Sequence, residues 1–178
     1  MGNTLRELRQ SGQLSGHNGL YEYDSDRANN AEFFIADLLS GLNFKKNPNI
    51  YDIDLLGSVD GKQIRGEIER DFATKRWIDK DSFPYPLINI PIEKMHYFTE
   101  DDEERMFYIK TSGNLKSLFI LHCVDIVAHS KKEVLSSNHD GQVKDRIFYR
   151  IPTEWATFFN VDEISQMEEF IKKKVGGY

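Results

Sequence analysis

The sequence predicts an α/β (α+β) fold, a mixed central β-sheet flanked by helices. Three observations lead there. An apolar repeat of helical spacing runs through residues 31–42. Two short alternating segments then flank Asp60-Gly61, a pair that accepts the positive φ of a two-residue turn. Further apolar strands follow, and a segment of helical period closes the chain. A helix, a hairpin, more strands and a last helix can bury their apolar faces by layering helices on a sheet. At 178 residues, with 39% hydrophobic and 12% aromatic content, the chain is long enough for one sizeable core and too apolar to stay disordered.

Residues 1–25 are polar and rich in Gly, Ser and Asn. They read as a flexible arm with a short turn near Leu5, ahead of a single domain over 26–178. Asp24, Ser25 or Asp26 can cap a helix from about Arg27 to Leu42. Ala31, Phe34, Ile35, Leu38, Leu39 and Leu42 form its apolar stripe, and Gly41 and Asn43 mark its end. Phe44-Lys45-Lys46 predicts a short strand and Asn47-Pro48-Asn49 a turn. The hairpin follows. With Asp60-Gly61 as its loop, Val59 faces Lys62, Leu55 faces Gly66, Asp54 faces Glu67 and Asp52 faces Glu69. All four carboxylates then share one side, with Ile53, Leu55 and Ile68 on the other.

Residues 72–84 admit two readings. Lys75, Arg76, Trp77 and Lys80 suit contacts to phosphates with an aromatic to stack on a base or sugar. Equally, Phe72 and Trp77 suit the core side of an amphipathic helix. Pro84 and Pro86 then break regular structure. Residues 87–92 are apolar, Arg105 to Lys110 predicts a strand, and Ser117 to Val127 a long buried strand. Residues 129–145 have the composition of a mobile loop, with Lys144 and Arg146 as a basic rim. Ile147 to Ile151 predicts a strand. Asn160 or Asp162 can cap a final helix carrying Ile164, Met167, Phe170 and Ile171 on one face.

Composition narrows the function. No run of 18 apolar residues predicts a membrane span, and the N-terminus lacks an apolar signal core, so the expected location is cytoplasmic. Cys123 stands alone in an apolar run and reads as a small buried hydrophobe. No His-x-x-His or Cys-x-x-Cys pattern suggests zinc, and His96 reads as structural. A net charge of −6 counts against broad, sequence-independent nucleic-acid binding, which relies on Lys and Arg neutralising phosphates.

Acids opposed across a hairpin repel one another, with Cβ atoms roughly 5 Å apart. Such a cluster favours a shared proton or a hard cation such as Mg²⁺ or Mn²⁺. The competing reading is a solvated acidic face.

At these residues the chain resembles the PD-(D/E)XK nuclease superfamily. The family carries an acid on one core strand and an acidic-x-Lys triplet on the next, antiparallel strand. Asp54 matches the first acid, with Asp52 as the alternative, and Glu67 matches the second. Glu69 stands where the family has Lys, a Glu-x-Glu variant also found among its restriction endonucleases. The resemblance spans roughly Ala28 to Val127. It implies a restriction-endonuclease-like fold and Mg²⁺- or Mn²⁺-dependent hydrolysis of DNA. Asp54 and Glu67 would hold the metal, and Glu69 would orient or deprotonate water or hold a second metal. Asp52 would stand just behind them. Glu32, on the first helix, is an additional acid by the same resemblance, or else a Glu favoured by the helix dipole. Lys94 could lend its charge from elsewhere in space, or stay solvated. The rival function is a nuclease-like fold that binds nucleic acid or a protein partner without cleaving. A homodimer is left open.

Overall fold

The computed structural model describes residues 30–49, 52–71, 77–95, 97–98, 103–139 and 142–176. The predicted arm at 1–25 lies outside them, as do Lys75, Arg76 and His96. Helix α1 covers residues 30–38 of the described chain and tightens into a 3₁₀ turn at Ser40–Leu42. Asn43 ends it in the left-handed region (φ 54°), its N–H returning to the Ser40 carbonyl, a common helix stop. Strand β1 (Lys45–Lys46) pairs with β2 (Leu55–Val59), which pairs with β3 (Lys62–Arg70) through the Asp60-Gly61 turn. Both turn residues have positive φ, 49° and 76°, as a right-twisted two-residue hairpin requires. The register is the predicted one, with Val59 opposite Lys62 and Leu55 opposite Gly66. Gly57 is required where β2 passes α1's exit, because a Cβ there would lie 2.8 Å from the Leu42 carbonyl oxygen.

The pairing stops at Leu55. Residues 52–54 bend away, so strand alternation does not carry back to them. Ile53 consequently packs in the opposite core cluster from Leu55 and Ile68, and Asp52 is exposed rather than set against Glu69.

After β3 the chain crosses through residues 71–105 and returns as β5 (Met106–Thr111), parallel to β3. Strands β6 (Ser117–His122) and β9 (Thr157–Asn160) complete a six-stranded mixed sheet of order β1-β2-β3-β5-β6-β9. The crossover contains β4 (Leu87–Pro91) and the single-turn helix α2 (Ile92–Met95). Strand β4 belongs to a second sheet of order β4-β8-β7, built on a long hairpin of β7 (Lys131–His139) and β8 (Gln142–Pro152). Helix α3 (Cys123–His129) follows β6, and α4 (Ile164–Gly176) ends the described chain.

Two cores result. On one face of the central sheet, Ile35 and Leu39 of α1 and Met167 and Ile171 of α4 meet Leu55, Ile64, Ile68, Phe107 and Ile120. On the other, Ile88, Ile90 and Ile151 of the second sheet, with Met95 of α2 and Ile126 of α3, meet Met106, Tyr108, Phe119 and Leu121. Three local expectations are corrected. The apolar run from Ser117 leaves the sheet at Cys123 and turns helical. Residues 131–139 are a strand, not a loop, because their backbone pairs along its whole length with β8. Residues 77–84 hold no helix. Among the described residues no helix is long and apolar enough to cross a membrane.

Candidate functional site

The acids gather where the β2–β3 hairpin opens. Glu67 stands on β3, side chain 1% exposed, facing the second sheet. A carboxylate so buried needs a counter-charge or a proton. Lys94 of α2 supplies the charge, its Nζ paired with Glu67 Oε1. Glu67 Oε2 is buried with no hydrogen-bond partner.

Asp54, at the mouth of β2, is fixed by its main chain and its side chain. Its carbonyl accepts the Asn47 N–H at 2.8 Å, and its Oδ2 accepts the Ile68 N–H at 2.8 Å. Burial raises its carboxyl from 3.8 to about 6, against the pull of Lys94, the Ile68 N–H bond and Lys46, while Glu32 pushes the same way as burial. Glu32, reaching from α1, pairs with Lys46 of β1 at 2.7 Å. Asp54, ahead of β2, is thus linked to two further acids and two lysines from α1, β1, β3 and α2 at one corner of the sheet.

The remaining sequence-predicted residues lie elsewhere. Glu69 points to the same face as Glu67, but its Oε1 is held by Lys110 Nζ at 2.7 Å and its Oε2 accepts the Tyr108 hydroxyl. The parallel β3–β5 register sets Glu69 opposite Lys110. Glu69 therefore keeps its expected face beside Glu67, but each of its oxygens already has a partner on β5. Asp52 is exposed, and its Oδ1 accepts the Ile53 N–H at 2.8 Å. Trp77 is fully buried, stacked on Phe119 (centroids 5.6 Å, 24°) with Phe83 edge-on at 5.1 Å. It is a core residue and cannot stack on a base. Lys80 is paired with Glu163 ahead of α4, and its own N–H donates to Asn160 Oδ1. Lys46 and Lys110 were missed as charge partners. Their only sequence signal is that each is a lysine on a strand, and cross-strand partners are not written locally.

Among the described residues no three Asp, Glu, His or Cys side chains come together as a ready-made metal cluster. The donors still suit a hard cation in kind. Asp54 and Glu67 offer carboxylate oxygens at one rim, and Glu67 Oε2 is an orphan that a divalent ion would satisfy. Comparison with known proteins finds no family model, no curated protein and no solved structure that matches the chain.

Proposed function

We propose that the chain is a metal-dependent endonuclease that hydrolyses phosphodiester bonds in DNA, in the manner of the PD-(D/E)XK superfamily it resembles. The observation that carries this reading is the meeting of Asp54, Glu67 and Lys94 at the mouth of the hairpin. The triplet lacks its lysine because Glu69 stands there. Lys94 offers an ammonium group from α2 instead.

Asp54 and Glu67 would hold Mg²⁺ or Mn²⁺, which when bound polarises a phosphate and acidifies water. The chain's own residues do the rest. The Ile68 N–H bond fixes the direction of the Asp54 carboxylate. Lys94 balances Glu67 and can swing to a phosphate oxygen once that charge is otherwise met, its side chain being 31% exposed. Glu69 takes no proton in this reading. It joins β3 to β5 through Lys110 and Tyr108.

The test is plasmid nicking in Mg²⁺ or Mn²⁺, with EDTA as the blank. Glu67→Gln keeps the size and removes the charge, so the rate should fall by at least about 10²-fold, the scale of losing one catalytic group, with the melting transition retained. Absence of nicking with every divalent ion, or an undiminished Glu67→Gln variant, would discard the reading. The pairing of Lys94 with Glu67 favours a second reading, in which the fold binds DNA and the lysine stands in for the metal. DNA that is bound and left intact would select it.

A further inference from the structure

The two acid–lysine pairs on β3 differ in kind. Glu69 is met at both oxygens by residues of one strand, Lys110 and Tyr108 of β5. Glu67 is the more deeply buried, at 1% exposure, and is met by Lys94 at Oε1, while its Oε2 is buried with no hydrogen-bond partner. A buried carboxylate left half-satisfied bears a desolvation cost that a further positive group relieves. Glu67 thus has an oxygen to offer a second cation.

Lys94 is placed to give way. Its main chain is pinned, its carbonyl accepting the Tyr97 N–H at 3.1 Å, and the next residue, Met95, is buried in the core with Phe98. Helix α2 also packs against β4 and β8. The Lys94 side chain is 31% exposed, so its flexible stem can carry the ammonium from Glu67 toward solvent without moving the helix.

Charge decides what can share this corner with Lys94. Asp54 and Glu67 bring two negative charges, Lys94 returns one, and Glu32 and Lys46 cancel each other. A divalent ion added beside Lys94 leaves one positive charge in excess, in a poorly solvated corner where like charges repel strongly. One further negative charge restores neutrality. A phosphodiester carries one such charge, on oxygens that suit both an ammonium group and a hard cation.

We propose that Lys94 competes with the divalent ion for Glu67, so that the cation and a phosphodiester bind this site well together and weakly apart. The cation as ligand rests on the nuclease reading above. Lys94 holds Glu67 until a phosphodiester draws its ammonium away, and Glu67 then turns its charge to the cation. By linkage, each ligand raises the affinity of the other by the same factor. The ion pair thereby keeps the site from loading a metal before its substrate arrives.

The experiment measures Mn²⁺ binding from the loss of the free ion's electron paramagnetic resonance signal. The full chain is titrated in sodium chloride and in sodium dimethyl phosphate at equal ionic strength, with neutral trimethyl phosphate as the uncharged control. Dimethyl phosphate should raise Mn²⁺ affinity by about 5–150-fold, the usual range of coupling between two ligands, and the neutral ester should not. Lys94→Met should bind Mn²⁺ alone at least about 5-fold more tightly than wild type and lose most of the gain from the diester. Lys94→Arg, which keeps the charge, should stay as weak as wild type. If Lys94→Met has no melting transition in EDTA, Lys94→Gln takes its place, and the wild-type comparison needs no variant. Equal Mn²⁺ affinity in chloride and in dimethyl phosphate overturns the proposal, as does an uncharged variant that binds Mn²⁺ no more tightly than wild type. DNA nicking by a chain whose Mn²⁺ affinity ignores the diester would sink the competition and spare the nuclease reading. Coupled Mn²⁺ binding without nicking would do the reverse.

Discussion

Replacing Asp54 with Asn should make this protein more stable at neutral pH, not less. Burial lifts the Asp54 carboxyl from 3.8 to about 6. For an acid raised in this way, the folded protein holds the proton more tightly than the unfolded chain does. Below about pH 3.8 both states are protonated and the side chain makes no difference. Between there and about pH 6 the unfolded chain alone ionises, and stability drains away. Above that range the charged Asp54 costs the fold about 3 kcal/mol, at about 1.4 kcal/mol per pH unit. Asparagine cannot ionise, yet keeps an oxygen for the Ile68 N–H. For a chain of this length, about 3 kcal/mol is roughly 6–12 °C in melting temperature. Circular-dichroism melts in EDTA should therefore show Asp54→Asn ahead of wild type near pH 7.5, with the gap closing toward pH 4. Millimolar Mn²⁺ should narrow the gap at neutral pH, because a bound cation stabilises only the chain that can hold it. A variant that melts below wild type near pH 7.5, or a gap indifferent to pH, would refute the reasoning.

Lys94→Met should destabilise by about 3 kcal/mol in urea unfolding, since it leaves the buried Glu67 charge alone. Adding Glu67→Gln should restore most of that, and a double variant as weak as the single would show that the two side chains are not coupled. Trp77→Ala should cost about 3–5 kcal/mol through lost packing without changing the affinity for DNA; a loss of affinity with unchanged stability would return Trp77 to the binding surface.

Local chemistry made the hairpin legible. Asp60-Gly61 determines the turn, and the turn determines which residues oppose each other as far as Leu55. The apolar stripe of the first helix and its stop at Asn43 were legible for the same reason, since both are written within a few residues, while the expected caps Asp24, Ser25 and Asp26 lie outside the described residues. What lay beyond reach depends on distant pairing. Nothing near Glu69 says that β5 will lie parallel to β3 and bring Lys110 opposite it. Nothing near Cys123 says that the sheet ends at His122, since Val124, Ile126 and Val127 suit strand and helix alike. Lys131 to His139 read as a loop because their sequence, Lys-Lys-Glu-Val-Leu-Ser-Ser-Asn-His, carries no apolar alternation. Lys94 was a candidate from the sequence, but its partner Glu67 was not legible, because the crossover alone sets the two together.

The crossover also fixes an order of events as the chain folds. Asp54 and Glu67 sit on either side of a two-residue turn, and their strands can zip as soon as both exist. Lys94 reaches them only after residues 71–105 have looped over and β5 has joined β3. Closing a long loop costs entropy before its contacts return any, and parallel strands are slow to pair. The acids therefore become neighbours early and meet their lysine late. In the interval, protons or cations from solution must answer their charge. A chain still emerging from the ribosome carries Asp54 and Glu67 without Lys94, so the Lys94–Glu67 pair must wait for the crossover to dock.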